Sequence, residues 1–393
     1  MVYEPGGSLT ERDGKVVFIC PNLKAGGAER QWALLAPGLA ERGFDVSVMT
    51  LDGRGVYFEE LLARGVPIAC ARLRHRADPI GLARAVRLGG VPSSAVLTRG
   101  VSAHVVGHVL ARRQRAAHVV TEHLGDDPLG MRPLRRHQQL LLRPIRPRAS
   151  AVVAAALSQT EHLVRDGYPP DAIRVIANGV ADDPPVRNRE AVRAELRVAP
   201  SEFLAVLVAA LRPEKCAAVF VEQVTAAHAM EPSIQGVVVG DGPDAASVAH
   251  AVRRSNGAVR MMGYRADAVD IMHAGDVVCL TSAIEALPMS VLEAMSVARP
   301  VIATRVGGLP EVVEPGRTGL LVSPERPSEL ANALVSLARD PARAEELGRA
   351  GRARQRQSFS IEAMTRGYAE LLADLERARG TSAPRRRLVQ VTP

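Results

Sequence analysis

The sequence predicts an α/β protein built from two doubly wound units, each a parallel sheet covered by helices on both faces. Three observations predict it. Short apolar runs alternate with segments of 3–4 periodicity along the whole chain, a βαβα rhythm. The rhythm breaks once, at a polar, proline-bearing stretch near 181–190, and then restarts. The hydrophobic fraction is 47% but the aromatic fraction only 3%, so the cores rest on Val, Leu, Ala and Ile, as suits strands buried on both faces.

The elements follow in order. KVVFIC (15–20), DVSVMT (45–50), VPIACARL (66–73), SAVLTRG (94–100), AHVVTEH (117–123) and AVVAAA (151–156) read as the strands of the first unit. Between them, ERQWALLAPGLAERG, YFEELLARG and VSAHVVGHVLARRQ carry helical spacing, with Pro37 inside the first and expected to kink it. FLAVLVAAL (203–211), IQGVVVG (234–240), AVRMMG (258–263), DVVCLTS (276–282), RPVIATR (299–305) and GLLVS (319–323) read as the second set. The expected organisation is a disordered start (1–14), an N-terminal domain (15–183), a C-terminal domain (190–357), an amphipathic final helix (358–378) and a disordered tail (379–393). The halves share an architecture, not a sequence repeat.

Bulk properties exclude several classes. Four separated cysteines without a CxxC argue against a disulfide framework or zinc site and fit a reducing compartment. The start has no apolar h-region and no apolar run reaches about 18 residues, so the expectation is a cytoplasmic chain without a membrane span. The net charge of +8 is uneven: residues 72–148 hold 15 Arg against four acids, +11, leaving −3 for the rest. That half suits an anionic acceptor or peripheral contact with an anionic membrane, or is simply a set of solvated arginine-rich helix faces. No aromatics interleave with the arginines, which argues against nucleic acid as a partner. Lysine occurs only at Lys15, Lys24 and Lys215, so a surviving lysine carries some weight.

Ligands of open parallel sheets bind beyond the carboxyl ends of the strands, so those segments hold the candidates. After the first strand, Gly26 and Gly27 open a helix; two glycines allow close backbone approach to a phosphate or sugar, although an ordinary tight turn has the same look. The pattern is not GxGxxG, so no dinucleotide fingerprint is present. His123 ends the fifth strand and is either a cleft ligand or a structural histidine. Arg212 and Lys215 in ALRPEKC lie at a helix start after a strand, a cationic pair suited to a diphosphate. TSAIEALPMSVLEAM places Glu285 at a loop tip and Glu293 inside the following helix, with Ala286-Leu287-Pro288 as a turn and backbone N–H groups between them to face phosphates.

With these residues in view, the chain resembles the retaining glycosyltransferases of family 4, which have the GT-B fold: two Rossmann-like doubly wound domains facing across a cleft. The resemblance spans about 15–375 and rests on GGAER, TEH, VIANGV, LRPEK, VVGDGP, MGYRADAVDIMHAGDVVCLTS, EALPMSVLEAMSVARPVIATRVGGLPEVV and GRTGLLV. It implies that Glu285 contacts the donor sugar near its reacting centre, Glu293 the nucleotide ribose and Lys215 the donor diphosphate. Leu287, Pro288, Met289 and Ser290 are the loop holding phosphates and sugar, and His123 lies near the donor sugar's hydroxyls. Gly26 and Gly27 flank donor phosphates and acceptor, Gly263, Tyr264 and Arg265 cup the base, and Asn178 of VIANGV joins the donor-binding set. The last helix crosses back to the N-terminal domain. Two departures stand out: the arginine the family writes five positions before the lysine is Ala210 here, with Arg212 as a replacement cation, and the glycine after the lysine is Cys216.

The expected reaction is transfer of a hexose or N-acetylhexosamine from a nucleotide-diphosphate sugar, UDP by family preference with GDP and ADP as alternatives, to an acceptor hydroxyl with retention. The acceptor is a small molecule or lipid-linked, in glycan, glycolipid or secondary-metabolite synthesis. No DxD-type pair ends a strand, so protein cations replace a metal and no cofactor is expected. The competing readings are a nucleotide-sugar epimerase of the same architecture, or a non-catalytic binder of sugars or nucleic acid.

Overall fold

The computed structural model describes residues 14–24, 26–74, 78–90, 92–122, 136–182 and 184–380. Its first sheet has seven parallel strands: β1 (Lys15–Cys20), β2 (Asp45–Thr50), β3 (Ile68–Cys70), β4 (Ala95–Arg99), β5 (Ala117–Glu122), β6 (Ala151–Ala154) and β7 (Ile173–Val175). Their spatial order is β3-β2-β1-β4-β5-β6-β7. The second has six: β8 (Phe203–Val208), β9 (Ile234–Val239), β10 (Val259–Met261), β11 (Val277–Leu280), β12 (Val301–Thr304) and β13 (Gly319–Val322), in the order β10-β9-β8-β11-β12-β13. Each order reverses direction beside its first strand, between β1 and β4 and between β8 and β11. Those are the points where an open sheet leaves a crevice.

The central strands are buried on both faces, as their unbroken apolar runs require; β9 and β11 contain no exposed position. The helix Gly27–Glu41 buries Trp32, Leu35, Ala36 and Leu39, one stripe at helical spacing. Trp32 packs edge-to-face on Phe18 of β1 with ring centres 4.8 Å apart, which fixes the helix over the strand it follows. Gly43, at φ +92°, then lets the chain leave the helix.

Two strands of chain run side by side between the halves. Val180 N donates to Phe359 O at 2.9 Å, and Gln355 Nε2 donates to Val180 O at 3.1 Å. The helix Ile361–Gly380 then returns to the N-terminal domain, where Met364, Tyr368, Leu371 and Leu372 join the core of the first sheet.

Three details differ from the sequence reading. β7, which runs into the stretch RVIANGV, is not among the strands predicted from the sequence: it has only three residues, all half-buried, so no periodicity marks it. The final helix starts at Ile361, after a separate helix Pro341–Ser358, and continues to Gly380, past the expected tail boundary at 379. It does so because the Arg379 guanidinium donates to Ser94 O of the N-terminal domain at 2.7 Å. Residues 1–13 and 381–393, expected to be disordered, lie outside the described residues. Among the described residues, no helix is long and apolar enough to cross a membrane.

Candidate functional site

The carboxyl ends of β1, β8 and β11 send their loops into one region between the domains. After β8, Pro213–Lys215 form a single 3-10 turn, and Cys216 follows in the left-handed conformation at φ +49°. This is the position where the family pattern has glycine, so the departure seen in the sequence carries backbone strain on the order of 1 kcal/mol. The Thr281 hydroxyl after β11 ties this turn down, donating to the carbonyls of Lys215 at 3.1 Å and Cys216 at 3.0 Å.

Lys215 and Glu285 meet. Lys215 Nζ lies 2.5 Å from Glu285 Oε1, and the Ser282 hydroxyl donates to the same oxygen at 2.6 Å. Glu285 is buried and Ser282 wholly so. The sequence reading named the lysine and the glutamate but not Ser282, three residues earlier in the same loop.

The loop that carries Glu285 is held from behind by the glycine pair of VGGLPEVV. Gly307 has φ +51°, and a Cβ there would sit 1.7 Å from Glu285 O. Gly308 N donates to Ala286 O at 3.0 Å. Only a residue without a side chain allows this approach. The signal was present in the sequence, since this segment belongs to the longest stretch of family likeness, but it was not linked to Glu285.

Glu293 lies inside the helix Met289–Ser296, buried, and it faces the other domain. Arg30 Nη1 donates to its Oε1 at 2.5 Å. Burial raises the Glu293 carboxyl above the ordinary carboxylate range, and the Arg30 charge and hydrogen bond oppose that. Tyr57 and Tyr264 are near neighbours of this pair: burial raises the Tyr57 phenol, while Arg30 lowers it and Glu293 and Tyr264 raise it. Tyr264 itself is 64% exposed.

The helix Met289–Ser296 starts after Leu287 and Pro288 with no side-chain cap, and the helix Gly27–Glu41 starts after Gly26 likewise. Both helix starts therefore offer backbone N–H groups and the positive end of a helix dipole. They adjoin, because a Cβ at Gly27 would come within 3.1 Å of Met289 Cγ. Gln31 bridges Gly179 with both ends of its amide, at 2.9 and 3.0 Å, and Asn178 Nδ2 donates to Leu287 O at 2.9 Å. Asn178 thus holds the Leu287–Pro288 loop through its backbone; Gln31 is not singled out by the sequence. Arg99 fixes the glycine loop from the other side, donating to Glu29 Oε1 at 3.0 Å and Asn22 O at 3.3 Å.

The remaining candidates fall differently. Ser290 is the second residue of its helix and half-buried. Arg212 is exposed and makes no side-chain hydrogen bond or ion pair among the described residues; it stands near the site without being locked into it. Gly263 O accepts from Gly240 N at 2.8 Å, whereas Arg265 is engaged by Glu195 and Asp267 at 2.6 and 2.7 Å. His123 lies outside the described residues. Its neighbour Glu122 ends β5, accepts from Tyr168 OH at 3.0 Å and lies 3.6 Å from His104 Nε2. Burial pushes its carboxyl up to about 7, against the opposing Tyr168 hydrogen bond and Arg146 charge. Among the described residues no group of three His, Cys, Asp or Glu side chains is placed to hold a metal ion.

Comparison with known proteins adds the context of the whole chain. Residues 25–183 match the family described as Glycosyltransferase Family 4, and residues 202–340 that described as Glycosyl transferases group 1. The α-maltose-1-phosphate synthase of Mycobacterium tuberculosis is 31% identical over 363 residues, covering 78% of this chain and 92% of that protein. The D-inositol 3-phosphate glycosyltransferase of Rhodococcus opacus is 34% identical over 234 residues, 56% of this chain and 52% of the relative. Anabaena HepE in complex with UDP and glucose superposes with a TM-score of 0.82 at 23% identity, covering 92% of this chain and 99% of that one. Sucrose-phosphate synthase of Thermosynechococcus elongatus superposes with a TM-score of 0.74, also at 23% identity, over 93% and 100%. These superpositions identify the fold as GT-B.

Proposed function

The chain belongs to glycosyltransferase family 4, and on that premise we propose that it moves a hexosyl or N-acetylhexosaminyl group from a UDP-sugar to an acceptor hydroxyl, with retention and without a metal ion. The observation that carries this reading is the Lys215–Glu285 pair, one flexible cation and one buried carboxylate joined at 2.5 Å, with Glu285 in the loop that leads to the uncapped helix start at Met289.

The chemistry needs negative charge to be stabilised on a leaving diphosphate while the sugar carbon becomes oxocarbenium-like. Lys215 Nζ and the N–H groups at Met289 and Gly27 supply that stabilisation, with Arg212 as an added cation from solvent. Preorganised charge of this kind is the largest contributor in many enzymes. The electron pair of the breaking bond goes to the phosphate oxygen, and the acceptor oxygen bonds the anomeric carbon from the same face. The acceptor proton passes to the departing phosphate. Glu285, turned to its second oxygen, holds a sugar hydroxyl beside the reacting carbon. Glu293 takes the ribose hydroxyls once Arg30 is displaced, Tyr264 and Gly263 border the base, and His123 meets the sugar.

The uridine assignment draws on the UDP complex of the structural neighbour and on family preference. The acceptor lies against the N-terminal domain, whose arginines suit an anionic or lipid-linked molecule and peripheral contact with a cytoplasmic membrane surface. The phosphate-bearing names of the two sequence relatives are in line with an anionic acceptor.

The test is thermal unfolding in EDTA with UDP-, GDP- and ADP-glucose, because a ligand of the native state raises the midpoint. A rise with one nucleotide, abolished in Glu293→Ala and Lys215→Ala, supports the donor site and names the base. No rise with any of them in folded protein refutes this reading of the site. The anomeric configuration of the product, read by proton NMR, decides retention, and turnover lost in EDTA and restored by Mg²⁺ rules out metal independence.

A further inference from the structure

A second cavity of about 710 Å³ opens on the N-terminal domain, and its described lining residues are distinct from those of the site between the domains. Its wall is cationic. Arg136 and Arg143 come from the helix Arg136–Leu142 and the residue after it, Arg146 from the 3-10 turn that follows, and Arg165 from the end of the helix Thr160–Arg165. Among the described lining residues Asp166 is the one carboxylate, set against four guanidinium groups.

Arg146 differs from the others in being built in. Its side chain is 9% exposed, it donates from Nη2 to Asp166 Oδ2 at 2.7 Å, and it lies over the Tyr168 ring at 5.6 Å. Its buried Nε–H has no acceptor among the described residues. A buried guanidinium short of a hydrogen bond is costly unless an anion compensates it, and the cavity beside it is where such an anion fits. Arg136 and Arg143 have no carboxylate partner among the described residues and are exposed at the rim, free to turn inward. Three or four guanidinium groups converging on one cavity match the tetrahedral oxygens of a phosphate, which arginine binds in bidentate fashion. At the rim stands Leu140, 67% exposed, next to Leu141 at 50%.

We propose that this cavity binds a phosphate ester, with Arg146 as the fixed anchor and Arg136, Arg143 and Arg165 as the cations that close on it. The ester has two sources of identical chemistry, a soluble sugar or polyol phosphate and the headgroup of an anionic phospholipid, whose acyl chains would lie against Leu140 and Leu141. The site does not depend on the donor reading, since none of its described lining residues belongs to the donor set.

The test is calorimetric titration with glycerol 3-phosphate, and flotation with phosphatidylcholine vesicles with and without phosphatidic acid. The proteins are wild type, the double variant Arg136→Gln/Arg143→Gln, and Lys215→Ala as a control for phosphate taken up between the domains. Both rim arginines are exposed, so the double variant should fold. The expected result is binding of at least one probe that weakens about tenfold or more in the double variant and is kept in Lys215→Ala, as loss of charge-assisted bonds predicts. Glycerol 3-phosphate binding alone points to a soluble ester; vesicle binding that requires phosphatidic acid points to the lipid. The proposal is overturned if neither probe binds wild type, or if binding survives the double variant or is lost in Lys215→Ala.

Discussion

Arg30, in the first turn of the helix after β1, donates to Glu293 of the opposite domain at 2.5 Å. This pair bridges the region where the donor site is proposed, and it occupies the carboxylate assigned to the ribose. On the proposed donor reading, binding exchanges one partner of Glu293 for another, and the Arg30 contact keeps a buried carboxylate satisfied without donor.

Removing that contact has a pH signature. In Arg30→Gln the Glu293 carboxyl, already raised by burial, rises further because the charge that opposed burial is gone. The folded state then holds more protons than the unfolded state above the ordinary carboxylate value of 4.5, so stability falls as pH rises through that region. Unfolding of the variant should be close to wild type near pH 4.5 and weaker by about 1–2 kcal/mol at pH 8, a figure discounted for the part-exposed arginine. Equal destabilisation at both pH values would count against the pair.

Lys215 and Glu285 should separate binding from chemistry. Glu285→Gln keeps the size of the side chain and an acceptor for Ser282, so the protein should fold normally while kcat falls about a hundredfold. Lys215→Ala should weaken UDP-sugar binding by about tenfold or more, since a charge-assisted contact to the diphosphate is lost. Unchanged turnover in both would remove them from the reaction.

Gly307→Ala tests the rear support of the Glu285 loop. The new Cβ meets Glu285 O at 1.7 Å on a backbone already at φ +51°, so the loop must move. Stability should drop by about 2 kcal/mol or more, with activity lost even in the folded fraction.

Cys216→Gly tests the opposite sense. The left-handed backbone at φ +49° suits glycine, so the variant should be more stable by about 1 kcal/mol in chemical denaturation. A destabilised variant would mean that the Cys216 side chain, whose Sγ contacts Pro213 O at 3.4 Å, outweighs the backbone strain.

Glu122 provides a second pH test. With its carboxyl up to about 7, the folded state keeps a proton that the unfolded state has lost above 4.5. Stability therefore falls between about 4.5 and 7 as pH rises. Glu122→Gln retains an acceptor for Tyr168 and removes that dependence, so the gap between variant and wild type should grow across the window and level off above it. His104 and His118, both pushed down to about 3 by burial, slope the opposite way below 6.5 in both proteins and cancel in the comparison.

The sequence by itself determined the architecture. Unbroken Val-, Ile-, Leu- and Ala-rich runs can only be strands buried on both faces, and their alternation with helical segments leaves parallel sheets as the arrangement. It also pointed to the candidate strand ends, because the loops that carry Lys215 and Glu285 follow such runs and Glu293 lies in the next helix. What the tertiary structure decided are the relations between segments distant along the chain. No periodicity could pair Arg30 with Glu293, 263 positions away, or set Gly307 behind Glu285, or gather arginines from 136 to 165 around one cavity. Local sequence reports which face of an element is apolar. Which polar groups meet across two domains follows from how the whole chain packs, since a buried charge selects its partner from whatever the fold brings within reach.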